Sequence, residues 1–354
     1  MDARQEKGRA LAKCKGIKRV EGAIWTVPSQ SQNAGGYLVN VLAASCTCPD
    51  HELRRTKLLH GLCQGILTPP HPGRGPKPIP LADVVFGMTM KVYTTVSGRR
   101  ATTDMKAAGV AGHMTRVPSY NALFSYFEKP ELSPLLSVLV EESAAPLAAI
   151  ETKIAVDSTS FTTAPYRRWF DEKYGREMKE HTWVKAHAAC GALTNVITAV
   201  NVTPGTVNDA PELPALVQRT AMRFDVADVV ADKAYLSHKN LASIEEVGAV
   251  PYIPFKLNSR SDGPAAWKRM WGLFMYEQAR FLEHYHARSN AESTFSAIKR
   301  KFGPNVRSRL YAAQKNEVLC KVIAHNLSCL VHAIRELKIE EPVFRAQLQL
   351  PATS

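Results

Sequence analysis

The chain has no run of consecutive apolar residues long enough to cross a bilayer, so no membrane partner is expected. Its first residues, MDARQEKGRALAKCKG, are basic but lack the apolar stretch of a secretory signal. Cysteine is sparse and odd in number: seven in 354 residues, four of them in the first 63. That excludes a simple disulfide framework and points to a reducing, cytoplasmic compartment. No internal repeat and no long low-complexity tract is visible, which argues against a repeat architecture.

Acidic residues are also in short supply. Lys and Arg number 45 against 32 for Asp and Glu, a formal charge of +13. A protein this basic commonly meets a polyanion, because each phosphate it neutralises releases condensed counterions. The same charge also serves solubility. The hydrophobic fraction, 45%, is ordinary for a globular protein, and the length suits two or three domains.

Five segments are expected. Residues 1–67 hold two strand-like runs, Gly22–Val27 and Tyr37–Leu42, joined by a turn at Asn33–Gly36 and followed by a cysteine cluster. Residues 68–80, TPPHPGRGPKPIP, place six prolines in thirteen positions and read as an extended linker. Residues 81–150 read as a helical domain. Its stretches Leu81–Tyr93 and Ser119–Phe127 flank a basic turn at Gly98-Arg99-Arg100, which suits either a DNA-docking helix-turn-helix or plain helical packing. Residues 151–338 alternate strands and helices, and 339–354 form a tail.

Within 151–338 the expected strands are Lys153–Val156, Trp183–Cys190, Val196–Val202, Val226–Ala231 and Ala249–Ile253. Helices are expected at Asn208–Arg223, capped by Asn208 or Asp209, and at Ser237–Val247, capped by Ser237. Most of Pro264–Lys338 reads as helical. Three strands, then helix, strand, helix and strand, is the element order of an RNase H-like α/β fold, a mixed five-stranded sheet with flanking helices.

Two acids share a setting. Asp157 follows KIAV and Asp232 follows DVVA, so each is placed at the carboxyl end of an apolar strand, the edge where α/β sheets bind ligands. One such acid is most simply a turn cap; two in equivalent places suggest a site. A third acid sits in a helix. Tyr285, Arg288, Glu292 and Lys299 lie at offsets 0, 3, 7 and 14, one stripe at about 100° per residue. Ala291, Phe295, Ile298 and Phe302 form a neighbouring apolar stripe that would pack on the sheet. The bland alternative is a solvated charged face. Glu292 is read as far from either helix end, so capping does not account for it.

Three converging carboxylates repel unless a cation neutralises them. Oxygen ligands of this kind suit Mg²⁺ or Mn²⁺, and two such ions about 4 Å apart can activate a hydroxyl and stabilise a phosphodiester's leaving oxygen. Arg and Lys on the same helix would hold the phosphate.

Asp157 in VDSTSF, Asp232 in VVADKAYLS and the run YHARSNAESTFSAIK resemble the DDE transposases of bacterial insertion sequences. Many of these carry Tyr-x2-Arg-x3-Glu-x6-Lys around the catalytic glutamate, and Tyr285, Arg288, Glu292 and Lys299 match all four positions. The resemblance spans residues 150–335 and implies that Asp157, Asp232 and Glu292 bind two Mg²⁺ or Mn²⁺ ions. It also implies that Arg288 and Lys299 contact DNA near the scissile phosphate and that Tyr285 positions the DNA end. The partners would be double-stranded DNA, as element ends and target in the bacterial nucleoid, and further copies of the chain in a homo-oligomer. Asp209 matches a frequent family acid, or caps its helix. His187 and Cys190 read as core residues.

Other DNA contacts are expected from Arg167, Arg168 and Trp169 in the loop after the first strand, and from Lys299-Arg300-Lys301 with Arg307 and Arg309; both are equally readable as solvated surface. Cys46-Thr47-Cys48 and the residues after it resemble the SWIM zinc finger, with Leu58 where a cysteine is expected. Cys46, Cys48, His60 and Cys63 would then bind Zn²⁺, with His51 as another candidate; a metal-free remnant is the alternative. Three further readings stand beside a transposase. They are a nuclease on the same fold, a DNA-binding protein that has lost catalysis, and a protein whose main function is the zinc-finger-like region.

Overall fold

The computed structural model describes residues 17–21, 24–28, 36–40, 45–46, 49–70, 73, 77–163 and 183–350. Four short strands come first: β1 (Lys18–Glu21), β2 (Ile24–Pro28), β3 (Gly36–Asn40) and β4 (Ser45–Cys46). They pair antiparallel in sequence order. Most of the expected Asn33–Gly36 turn lies outside the described residues; Gly36 itself opens β3.

Five helices follow: α1 (Pro49–Gln64), α2 (Leu81–Thr94), α3 (Gly98–Val110), α4 (Tyr120–Phe127) and α5 (Leu132–Ala144). The basic run Gly98-Arg99-Arg100 is the first turn of α3, not a turn between helices. Ser97 accepts the Arg100 N–H at 3.5 Å, and Ala101, Met105 and Ala108 give the helix a buried face. Ser119 caps α4 in the same way through Ala122. Asp83, buried in α2, accepts hydrogen bonds from the backbone of Thr115 and Arg116 and so fixes the loop after α3.

The second sheet contains β5 (Lys153–Thr162), β6 (Trp183–Gly191), β7 (Ile197–Pro204), β8 (Asp228–Ala231) and β9 (Val250–Tyr252). Its order is β7-β6-β5-β8-β9. The first three pair antiparallel, and β8 and β9 are added parallel to β5. Helices α6 (Leu213–Ala221) and α7 (His238–Glu246) connect β7 to β8 and β8 to β9. The expected cap of α6 does not form: a 3-10 turn at Ala210–Glu212 precedes the helix, and Asp209 makes no capping bond. Ser237 does cap α7, accepting from Asn240. Then come α8 (Ala265–Tyr276), α9 (Gln278–Tyr285), α10 (Ser289–Phe302) and α11 (Tyr311–Glu336).

By length and composition α11 is apolar enough to cross a membrane, a property missed by looking only for unbroken apolar runs, because Asn, His, Ser and Lys interrupt it. It is a core helix: 89% of its most apolar window is buried against the rest of the protein. It packs on α1, α2, α5 and β7, so one apolar core runs from the helical region into the sheet. Asn326 is the polar pin of this core. Its side chain accepts from Ile197 N–H at 2.9 Å and donates to Ile197 O, Val140 O and Ser143 Oγ, tying β7 and α5 to α11.

Candidate active site

The parallel ladder between β5 and β8 fixes two acids. Its last rung joins Val156 to Ala231, so Asp157 and Asp232 take the next position on neighbouring strands. β8 stops there. β5 does not, and Asp157 is therefore in mid-strand rather than at a strand end. The run Ser158–Thr162 looks polar in sequence, yet it keeps pairing with β6 as far as Thr162 opposite Trp183, with Phe161 turned into the core. Ser158 N–H donates to Asp157 Oδ1 at 2.8 Å. Asp232 opens a 3-10 turn, Lys233–Tyr235, and its Oδ1 accepts from Ala234 N–H at 3.1 Å.

The third acid comes from the helical end of the chain. The single helix expected through Tyr285–Lys299 is divided: α9 ends at Tyr285, a 3-10 turn occupies His286–Arg288, and α10 begins at Ser289. Glu292 thus lies in the first turn of α10, correcting the expectation that it is remote from a helix end. Its carboxylate is favoured there by the helix dipole. Ala291, Phe295, Ile298 and Phe302 are buried and seat α10 on β5 and β6.

Arg288 gathers the three acids. One guanidinium nitrogen lies 3.5 Å from Asp157 Oδ2 and 3.8 Å from Asp232 Oδ2, and the other is 2.5 Å from Glu292 Oε1. Burial pushes the Asp157 carboxyl above its ordinary range; the Ser158 N–H and Arg288 oppose this, while Asp232 and Glu292 add to it. Burial also works against the charge on Arg288, but Glu292, Tyr285 and Asp157 outweigh it and raise its pKa. One cation therefore leaves the cluster short of positive charge.

Hard carboxylate oxygens converging on a shared positive charge are the donor chemistry that Mg²⁺ or Mn²⁺ takes. Among the described residues no three His, Cys, Asp or Glu side chains form a ready-made metal cage. Asp157, Asp232 and Glu292 are instead grouped around the guanidinium.

Beside them is an open cleft of about 560 Å³, lined by Asp157, Glu292, Phe295, Lys299, Arg300 and Pro304 among others. Lys299 is half-buried, with its ammonium 5.8 Å from the Phe161 ring centre, and burial lowers its pKa. Tyr285 stacks on Phe281 at 5.5 Å, next to the acids that contribute to its raised pKa. Arg167, Arg168 and Trp169 lie outside the described residues.

Asp209 pairs with Lys185 at 3.1 Å and with His187 at 3.3 Å. His187 is fully buried, bonds Thr203 at 2.8 Å, and is held below the ordinary histidine pKa by burial in spite of Asp209. Cys190 is also fully buried. At the N-terminal candidate zinc site, the side chains of Cys46 and Cys48 lie outside the described residues. His60 Nδ1 is 3.0 Å from His113 O, and its Nε2 is 2.9 Å from Gln64. Cys63 is buried, and burial pushes its thiol pKa up, away from the thiolate that zinc requires.

Sequence reasoning missed the anchor that holds α9. Asp228, at the start of β8, lies 2.6 Å from His284 Nδ1 and 3.3 Å from Lys153 Nζ, while the His284 ring stacks on Tyr252 at 4.5 Å. His284 immediately precedes Tyr285, so this contact sets where the turn carrying Arg288 begins. The only sequence signal was a histidine in the last turn of a short helix.

Residues 149–327 match the family described as a transposase DDE domain. No solved structure matches the chain.

Proposed function

The chain belongs to the transposase DDE domain family, and from that membership we propose that it cuts the ends of its own insertion sequence and joins them to target DNA. The observation that carries this reading is the convergence of Asp157, Asp232 and Glu292, from three separate segments, on the Arg288 guanidinium beside an open cleft that also carries Lys299 and Arg300. The sheet order β7-β6-β5-β8-β9 is consistent with an RNase H-like domain.

Asp157, Asp232 and Glu292 would hold two Mg²⁺ or Mn²⁺ ions. When bound, such ions supply Lewis acidity toward a water or 3′-hydroxyl nucleophile and toward the leaving oxygen. Asp157 and Asp232 are fixed by the β5–β8 ladder, so their spacing does not depend on loop ordering. Arg288 neutralises the acids and, when divalent ions take over that task, is free to bind a phosphate bidentately. Lys299 brings a point charge to the cleft for the scissile phosphate, and Tyr285, near Arg288 and the acids, would position the DNA end. Two ends must be processed together, so the protein acts as a homo-oligomer on double-stranded DNA in the bacterial nucleoid.

The test is a cleavage and joining assay with Mg²⁺ or Mn²⁺ on the DNA flanking the chain's own gene. Asp157→Asn or Asp232→Asn should each cut cleavage by about a thousandfold or more while DNA binding persists. Cleavage that survives either substitution removes the assignment. Cleavage without joining in the unaltered protein would identify a nuclease on the same fold instead.

A further inference from the structure

Lys91 in α2 is 7% exposed; among the described residues its ammonium makes no hydrogen bond and no ion pair within 4 Å, and it stands 6.0 Å from the centre of the Phe124 ring. It lines a cavity of about 410 Å³ between the helical region and the segment that follows α10. Burial pulls this ammonium below the ordinary lysine range, with the Glu317 charge acting against the shift. The carboxylate best placed to serve it, Glu317, is already engaged: it accepts from the N–H groups of Arg307 and Ser308 at 3.0–3.1 Å and from Ser308 Oγ at 2.8 Å. Arg307 and Arg309 stand on the same rim, opposed there by the exposed Glu128.

Aromatic rings line the same cavity. Phe124 leaves 40% of its surface exposed, with Phe127 buried beside it. Gly98, the first residue of α3, lets the Phe124 ring lie against the helix start: a Cβ there would stand 2.7 Å from Phe124 Cζ. Positive groups and a partly exposed ring lining one cavity suit a phosphate joined to a flat heterocycle.

The cavity and the cleft of the three acids are lined by neighbouring parts of one chain segment. Pro304 lines that cleft and Arg307 lines this cavity. Three residues of chain reach at most about 11 Å, a length covered by about three nucleotides of stacked strand. We propose that this cavity holds one unpaired nucleotide of the DNA strand bound at the cleft, with its phosphate toward Lys91 and Arg307 and its base on Phe124. The proposal rests on the DNA reading above and adds to it a subsite for single-stranded DNA.

The test uses the full chain and a fluorescein-labelled, mixed-sequence 20-nucleotide single strand carrying 5-iododeoxyuridine. Binding is read by anisotropy, and photocrosslinks are mapped by mass spectrometry. Lys91→Met and Phe124→Ala should each weaken binding of the single strand by about five- to tenfold. Binding of a blunt duplex should change by less than twofold, and the crosslink should fall on Phe124 or its neighbours in α2 and α4. Phe124 is at the surface, so its variant decides the matter if Lys91→Met melts early. Unchanged strand binding in Phe124→Ala, or crosslinks confined to other regions, overturns the subsite while leaving the DNA reading intact. Displacement of the strand by dAMP at equal concentration would make this a free-nucleotide site and also overturn the proposal. Binding of neither strand nor duplex by the unaltered protein would remove the DNA reading and the subsite together.

Discussion

Two polar regions of this protein are built in opposite ways. On α11, two buried asparagines are satisfied by neutral partners. Asn326 exchanges bonds with Ile197, Val140 and Ser143, and Asn316 does so with Ser133, Phe127 and Lys129. At the β5–β8 edge, three carboxylates share one guanidinium and Asp157 remains shifted upward. A fully matched interior network fixes a single packing arrangement. An edge short of positive charge is less favourable when empty and correspondingly ready to take up cations. At these two asparagines complete pairing accompanies a structural role, and at the acidic edge incomplete neutralisation accompanies the proposed one.

The comparison can be broken most forcefully at Asn326. Asn326→Ala strands the Ile197 N–H and takes a donor from the Ile197 and Val140 carbonyls in a dry core, which should cost about 3–5 kcal/mol. Urea unfolding would report it, and a loss under about 1 kcal/mol would remove the contrast between the two regions.

Lys321 is an instructive exception within the matched region. It is 2% exposed, donates to Gly303 O at 3.3 Å and Asn305 O at 2.5 Å, and burial lowers its pKa from 10.5 to about 8. Below pH 8 it is charged in both folded and unfolded chains, and the folded state bears the full burial cost. Between pH 8 and 10.5 the unfolded chain binds more protons at this site, so its contribution to stability rises with pH. Lys321→Met should therefore gain on the unaltered protein by up to about 3 kcal/mol near neutral pH, less the lost bonds to Gly303 and Asn305. The gap should narrow as pH rises through 8. Melting curves from pH 7 to 10 test this, and a gap that widens with pH contradicts the reading.

The smallest effect is expected at Arg288. Without divalent cations, Arg288→Gln leaves the carboxylates unneutralised and should lower stability by about 1 kcal/mol. Millimolar Mn²⁺ should restore the loss and raise the melting temperature more in this variant than in the unaltered protein. Equal responses to Mn²⁺ would mean that Arg288 does not stand in for a cation.

Much of this edge was readable in the residues. An apolar strand followed by an acid occurs twice, and the Arg288–Glu292 spacing brought both side chains to one face. What escaped was local backbone shape. The expected strand stops at Val156 because only tertiary pairing with β6 carries it on through Ser158–Thr162. The 3-10 turn at His286–Arg288 contains neither proline nor glycine, so nothing in the sequence signalled the break that puts Glu292 in a first helical turn. The Asp228–His284 contact joins residues 56 positions apart and has no local signature. In the helical region, Ser97 and the buried face of α3 were in plain view, but the adjacent arginines suggested a turn.

The central claim, that Asp157, Asp232 and Glu292 share bound divalent ions, is tested most directly by replacing Mg²⁺ with Fe²⁺ and mapping where hydroxyl radicals cut the protein's own backbone. Cuts should cluster beside these three residues, be suppressed by excess Mg²⁺, and vanish in Asp157→Asn. Cuts elsewhere, or cuts at these positions that persist in Asp157→Asn, would contradict the account.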